Sequence, residues 1–331
     1  MGKSLQGWFE HILAAQKRIA SYLVRTPLLE SESLNSHLGF RLIVKPESLQ
    51  KTGSFKARGA LNFVLQSMLP AGAQFVGYSS GNHAQGLAYA ARATLHRAHV
   101  LMPASAPSRK IEGARALGAE VEILDDFFGD RDKRVLEMVA NGARFVPPFD
   151  HQLIVQGQGT VGLEIAQDAT ARGISVDEIF IPVSGGGLLA GTAIAMRQQF
   201  PACRIVGVEP AGFDDFARSM EMGSRTLNSS GRSTLCDGLM SPRPGEIPFE
   251  LATDIRPDFA VVDDNQVGQA IWVLFTYFNL VVEASGAAAL AAVLSASQSL
   301  RGRTIAVVIS GGNVDAVLFE RLLDGASPLR L

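Results

Sequence analysis

Only two cysteines, Cys203 and Cys236, occur in 331 residues. That scarcity excludes a disulfide-stapled fold and a cysteine-rich metal centre, and it suits a reducing cytoplasm. An excess of one charge sign is also missing. Thirty Lys and Arg stand against 32 Asp and Glu, a formal net charge of -2. The sequence therefore gives no electrostatic ground for nucleic acid or an anionic membrane as partner. No long apolar run is uninterrupted. The most hydrophobic segment, Ala270 to Leu294, is broken by Asn279, Glu283 and Ser285 and reads as two buried elements of a soluble core. Residues 1 to 25 mix Lys3, Glu10, His11, Lys17 and Arg18 with apolar positions, so no signal-peptide core is expected. Internal repeats, low-complexity tracts and a Pro/Gly/Ser-rich linker are likewise absent.

What is present is a globular composition, 47% hydrophobic and 19% charged. The length predicts one large domain or two unequal ones. Apolar spacing predicts a helix over Trp8 to Val24, stopped by Thr26-Pro27. Strands are predicted at Arg41 to Lys45, Phe75 to Tyr78, Ala98 to Met102, Val121 to Leu124, Glu178 to Val183, Arg204 to Glu209, Phe259 to Val262 and Thr304 to Ile309. Helical patterns such as Ser108 to Leu117 and Asp130 to Val139 lie between most of them. This alternation predicts an α/β protein with mainly parallel sheets. Polar Gly223 to Ser233 is the best candidate for a loop.

Four stretches could carry chemistry. In Ser54-Phe55-Lys56-Ala57-Arg58-Gly59-Ala60 a lysine sits between an aromatic and a small residue at a helix start. Apolar surroundings would lower its pKa and make it a nucleophile toward an aldehyde. Ser79-Ser80-Gly81-Asn82-His83 is a polar strand-to-helix turn whose N–H groups favour a bound carboxylate. Ser184-Gly185-Gly186-Gly187-Leu188, again between strand and helix, can converge N–H groups on a phosphate. Gly185, Gly187, Ala190 and Glu209 also satisfy the dinucleotide fingerprint, so that motif taken alone leaves a nicotinamide or flavin enzyme open. Ser310-Gly311-Gly312-Asn313 ends another strand, where Ser310 could meet a ligand heteroatom.

Jointly and in this order, these stretches resemble the fold-type II pyridoxal-phosphate enzymes, in the threonine/serine dehydratase and serine racemase branch. Gly157-Gln158-Gly159-Thr160 and Val282-Glu283 with Gly286-Ala287-Ala288 extend the match. The resemblance runs from about Arg25 to Asn313. Ser-Phe-Lys-Ala-Arg around the lysine sides with the dehydratases rather than with the cysteine-synthase branch.

The resemblance implies two intertwined three-layer α/β domains, tryptophan synthase beta-like, with residues 1–70 and 152–331 forming a large cofactor-binding domain and 71–151 a small mobile one. It implies a Schiff base of pyridoxal 5'-phosphate on Lys56, with Phe55 close to the ring and Asn82 bonded to the phenolic oxygen. The phosphate falls to Ser184, Gly185, Gly186, Gly187 and Leu188, and the ring nitrogen to Ser310. Gly238 lies beside the ring, and Glu283 is counted with the cofactor-binding residues. Ser79, Ser80, Gly81, Asn82 and His83 receive the substrate carboxylate, with Ser80 matching the opposite-face acid/base of racemases. Glu209, Phe213 and Asp215 resemble the branch's site for Mg²⁺ or Ca²⁺, a hard-oxygen donor set. That match reassigns Glu209 from ribose partner to metal ligand. The implied activity is a dehydratase acting on serine, threonine or a related 3-hydroxy amino acid. The alternatives are a racemase on the same scaffold and, from the glycine pattern, a nicotinamide-dependent dehydrogenase. A cytoplasmic homodimer with a small amino-acid substrate is the implied setting. Because the chain ends soon after Asn313, a C-terminal regulatory domain is expected to be absent, which favours a catabolic role.

Overall fold

The computed structural model describes residues 3–229 and 231–325. Ser230 of the predicted loop, and the outer ends of the predicted large domain, lie outside the described residues. Among the described residues nine strands form two sheets: β1 (Arg41–Pro46), β2 (Gln74–Tyr78), β3 (Arg97–Pro103), β4 (Glu120–Leu124), β5 (Arg144–Phe145), β6 (Glu178–Pro182), β7 (Arg204–Pro210), β8 (Asp258–Val262) and β9 (Thr304–Ile309). One sheet has the order β1-β9-β6-β7-β8 and the other β4-β3-β2-β5. Every pairing within them is parallel. Of the nine, only the two-residue β5 lacks a sequence expectation. It is too short to show a period.

The helices are α1 (Lys3–Ile19), α2 (Glu32–Leu38), α3 (Lys56–Gln66), α4 (Asn82–Ala93), α5 (Ser108–Ala116), α6 (Phe127–Ala140), α7 (Gln152–Ala171), α8 (Gly187–Gln199), α9 (Asp215–Met222), α10 (Glu246–Ile255), α11 (Asp264–Phe278), α12 (Ala284–Ser295) and α13 (Ala316–Gly325). The apolar stretch around 270–294 is indeed two helices, α11 and α12, and α11 stops at Asn279 in the left-handed region, φ 53°. Helix α1 ends at Ile19, short of the expected stop at Thr26-Pro27.

Alternate residues of each strand feed opposite faces. In the five-stranded sheet Ile43, Ile179, Ile181, Ile205 and Val308 pack on one face with α7 and α8. Leu42, Val44, Phe180, Val206 and Val307 pack on the other with α11 and α12. The four-stranded sheet is covered by α3 and α4 on one face and by α6 on the other. Both sheets are thus the middle of three layers, as the α/β expectation required. The core of the smaller sheet is completed by Ile19, Leu61, Phe63 and Ile154, from α1, α3 and α7.

Packing of α3 against α4 fixes where the lysine stretch sits. A Cβ at Gly86 of α4 would lie 3.0 Å from the backbone of Lys56. Only glycine lets the two helices approach that closely. A second restraint comes from the opposite side, where Ser54 bridges Gly311 just beyond β9 and Phe55 N–H donates to the Ser310 carbonyl at 3.1 Å. Position 56 is therefore clamped between the two sheets, at the C-terminal ends of β2 and β9.

Candidate active site

A cavity of about 590 Å³ opens between the sheets, a size ordinary for small-molecule sites. It is lined by Phe55, Lys56, Ser79, Ser80, Asn82, His83, Ser184, Gly185, Gly186, Gly187, Leu188, Gly238 and Ser310, so nearly all the residues singled out from the sequence converge there. Gly81 and Glu283 are not in the lining, and neither are Glu209, Phe213 and Asp215. Phe149, Asp150 and the 241–245 segment close the remaining wall.

Lys56 opens α3. Its Nζ donates to the Pro148 carbonyl at 2.8 Å and lies 5.2 Å from the Phe55 ring centroid. The cavity reaches the amine, yet protein surrounds it closely, and that desolvation pushes its pKa down to about 8. A second lysine, Lys110 of α5, also lines the cavity and went unnoticed in the sequence. It pairs with Asp237 at 2.6 Å and Glu283 at 2.9 Å. Burial opposes its charge, but those two carboxylates outweigh the burial and hold its pKa above the ordinary range. Of the two amines, Lys110 stays a cation and Lys56 is the one that can be neutral and nucleophilic.

Two helix N-termini face the cavity. Helix α4 starts at Asn82 with Gly81 as its N-cap, and the Gly81 N–H is drawn to Ser79 Oγ at 2.9 Å. Helix α8 starts at Gly187 after Gly186, whose φ of 90° is left-handed and whose Cβ, if present, would strike the Phe216 ring. The first N–H groups of each helix have no intrahelical acceptor and suit anions. Ser184 Oγ is tied to Ser241 Oγ at 2.8 Å, which fixes the second loop.

Asn82 is the centre of a hydrogen-bond chain. Its Oδ1 accepts from Asn313 at 2.8 Å, and its Nδ2 donates to Glu283. One amide hydrogen remains for a ligand. Glu283, 2% exposed, thus holds Asn82 and Lys110 from behind the cavity wall. His83 is buried, its Nε2 is 3.0 Å from the Val146 carbonyl, and burial, then the nearby Lys56, push its pKa down to about 3. It is neutral at working pH and ties the turn to the segment after β5. Ser310 Oγ sits 3.4 Å from the Ser285 carbonyl, and Gly238 N–H donates to Ser285 Oγ at 2.8 Å. Ser285, Lys110 and Asp237 are site residues that sequence reading missed; their partners lie 25 to 173 positions away.

Outside the cavity, Glu209 Oε1 and Oε2 accept the N–H groups of Phe216 and Ala217, both at 2.9 Å. This carboxylate therefore faces α9, and the dinucleotide fingerprint lacks its ribose partner. Asp215 Oδ1 accepts from Asn228 at 2.5 Å, while its Oδ2 is buried without a partner among the described residues. Burial pushes Glu209 up to about 8 and Asp215 up to about 7. Two desolvated carboxylates and an unpaired oxygen fit a hard cation in donor chemistry. Among the described residues, however, no three His, Cys, Asp or Glu side chains cluster as a metal site.

The residues present fit pyridoxal phosphate. A low-pKa lysine, an anion cradle at α8 and a free amide hydrogen on Asn82 surround one cavity. The chain is 41% identical to a threonine deaminase from T.th. whose structure is solved, over 92% of this chain and 98% of that one, with a TM-score of 0.87. It is 37% identical to a serine racemase of Oryza sativa subsp. indica, covering 94% of this chain and 92% of the relative. It is 33% identical to an L-threo-3-hydroxyaspartate ammonia-lyase of Pseudomonas sp, covering 96% and 98%. The family model described as pyridoxal-phosphate dependent enzyme matches residues 19–311, and the chain belongs to that family.

Proposed function

We propose that the protein is an ammonia-lyase converting serine, threonine or a related 3-hydroxy amino acid to a 2-oxo acid and ammonia. The observation that carries this reading is the convergence of two helix N-termini on one lysine that has no counter-charge among the described residues. Lys56 would hold the cofactor covalently, with its phosphate on the N–H groups of Ser184 to Leu188. Bound there, the cofactor supplies an electron sink for the Cα–H bonding pair. The protein supplies the rest. N–H groups of the Ser79 to His83 turn orient the substrate carboxylate, and such fixed donors need no reorganisation during reaction. A displaced Lys56 amine with a pKa near 8 is partly neutral at physiological pH, which suits a base at Cα. Neutral His83 neither donates a proton from an imidazolium nor competes for one.

A racemase is the second reading. Ser80 lines the cavity on the same turn, and the rice relative is a serine racemase. Incubation with serine, threonine and 3-hydroxyaspartate distinguishes the two. The lyase releases 2-oxo acid and ammonia in equal amounts, whereas inversion of recovered substrate without 2-oxo acid would overturn the lyase reading.

The finer setting is also a proposal. Glu209, the Phe213 carbonyl and Asp215 would hold Mg²⁺ or Ca²⁺, supported by the unpaired Asp215 oxygen. Residues 71–151 would close as a small unit over a large one made of 1–70 and 152–331. Exposed Leu49 and Val281, 47% and 48% accessible, offer apolar surface for a homodimer. Two buried, free cysteines suit a cytoplasmic protein, and among the described residues no helix is long and apolar enough to cross a membrane.

A further inference from the structure

Helices α2, α5, α6, α7 and α9 are each followed by a glycine in the left-handed region: Gly39, Gly118, Gly142, Gly173 and Gly223. A residue without a Cβ meets no penalty there. After α10 and α11 the place is taken by polar Arg256 and Asn279. Helices α3 and α4 depart from both patterns. Met68 follows α3 with φ 50°, and Leu95 follows α4 with φ 61°. The end of α4 is a Schellman motif, in which the His96 N–H donates to the Ala91 carbonyl at 2.8 Å and the Leu95 N–H to the Arg92 carbonyl at 3.3 Å. Leu95 holds the position where glycine is usual. Both side chains face water, Met68 90% and Leu95 77% exposed. Strained backbone and exposed apolar surface thus coincide twice, an arrangement that folding alone does not favour.

The two residues line one groove of about 340 Å³ with Tyr22, Val64, Leu65 and Ala93, the small end of ligand-sized cavities. Lys56 and Asn82 open the same two helices, so the groove lies about 17 Å from the active site at 1.5 Å per residue. Charge says what fits it. No Asp or Glu occurs between Glu10 and Glu30, or between Glu47 and Glu112, and those stretches contribute every lining residue. Cations stand on both sides. Arg92 is exposed in the last turn of α4 and close to Tyr89, whose O–H donates to the Tyr22 carbonyl. Arg97 is exposed as well; its Nε donates to the Gly72 carbonyl at 3.0 Å, and the Gly72 N–H donates to the Leu95 carbonyl at 2.9 Å. Two copies meeting here about a two-fold axis would set arginine against arginine. A flat bilayer cannot reach the floor of a groove.

We propose that the groove between the C-terminal ends of α3 and α4 docks an acidic amphipathic helix of a partner protein. Its aliphatic side chains enter between Met68 and Leu95, and its carboxylates meet Arg92 and Arg97. Helix-in-groove contacts of this kind are read as apolar anchors at helical spacing, and an unbranched methionine adapts its shape to them.

The probe is a synthetic helical peptide with leucine at i, i+3, i+4 and i+7 and glutamate beside them. Its counterpart carries lysine for every glutamate. Binding of both, fluorescently labelled, is followed by anisotropy with the parent protein, the double variant Met68→Asn/Leu95→Gly and the double variant Arg92→Gln/Arg97→Gln. The acidic peptide should bind the parent about tenfold tighter than the basic one, and added salt should shrink that ratio. Met68→Asn/Leu95→Gly should weaken the acidic peptide about tenfold while melting within about 2 °C of the parent, because asparagine and glycine suit left-handed backbone. Arg92→Gln/Arg97→Gln should bring the acidic-to-basic ratio to within about threefold, and it carries the comparison if the first variant misfolds. Equal binding of the two peptides, or variants that bind as the parent does, overturns the assignment. So does sedimentation of the parent with vesicles of phosphatidylcholine and phosphatidylserine in place of peptide binding, which would give the patch to lipid. A change of molar mass by light scattering in Met68→Asn/Leu95→Gly would make it a contact between copies and overturn the assignment equally.

Discussion

Arg58→Met turns a charge-balanced cluster into one with an unpaired anion. Arg58 is 1% exposed, two residues beyond Lys56 on α3. Its Nε and Nη2 donate to the two oxygens of Glu47 at 2.7 and 2.8 Å, and its Nη1 and Nη2 donate to Glu164 at 2.7 and 2.9 Å. Lys45 pairs with the same Glu164 at 2.6 Å. Two cations thus face two carboxylates. Burial would raise the Glu164 pKa, but the charges and hydrogen bonds of Arg58 and Lys45 outweigh it and hold it low. Removing Arg58 alone leaves two buried carboxylates on one lysine, which costs about 3–5 kcal/mol. For a chain of this length roughly 2 °C of melting temperature accompanies each kcal/mol, so the loss should be about 6–10 °C. The sign of the pH dependence follows. In the variant one carboxyl keeps its proton in the folded state above its unfolded pKa, so the folded form binds more protons. Stability present at low pH is then lost as pH rises, and the deficit should be larger at pH 8 than at pH 5. Adding Glu47→Gln restores the balance between Lys45 and Glu164 and should recover much of the loss. Calorimetric melting of the parent, single and double variants at both pH values is the assay. A single variant within about 2 °C of the parent at pH 8, roughly 1 kcal/mol, would refute the charged cluster.

Lys110→Met should strip Glu283 of its cation and loosen Asn82, lowering stability by about 3–5 kcal/mol. It should also weaken cofactor retention, read by dialysis against buffer; unchanged retention would detach Asn82 from the cofactor site. For the proposed cation site, the raised pKa values of Glu209 and Asp215 mean that chelator-treated protein should lose stability as pH rises from about 4 through about 8. Millimolar Mg²⁺ or Ca²⁺ should reverse that decline, by about 2.7 kcal/mol at a hundred times Kd. Melting curves that ignore both ions would remove the site.

Much of the fold was legible because strands buried on both faces read as short β-branched runs between turn residues, as in β6 and β9. The loops after β2, β6 and β9 could be read for the same reason: glycine and serine crowd where backbone must meet a ligand. What stayed hidden depends on distance in the chain. Lys110 looks like a solvated helix lysine until Asp237 and Glu283 are seen beside it. Arg131 sits in a charged stretch, Asp130 to Arg134, that reads as an exposed face, and only the rings of Tyr78, Phe127 and Phe128 mark it as half-buried. Arg58 was visible as a motif letter, whereas its two carboxylates come from residues 11 and 106 positions away.

Which lysine takes the cofactor is the question on which the chemistry depends. Borohydride reduction of the purified protein loaded with pyridoxal phosphate, followed by peptide mass mapping, answers it. The pyridoxyl group should be found on Lys56, with loss of the visible band and of activity. Its attachment to Lys110, or to no lysine of the cavity, would contradict the account.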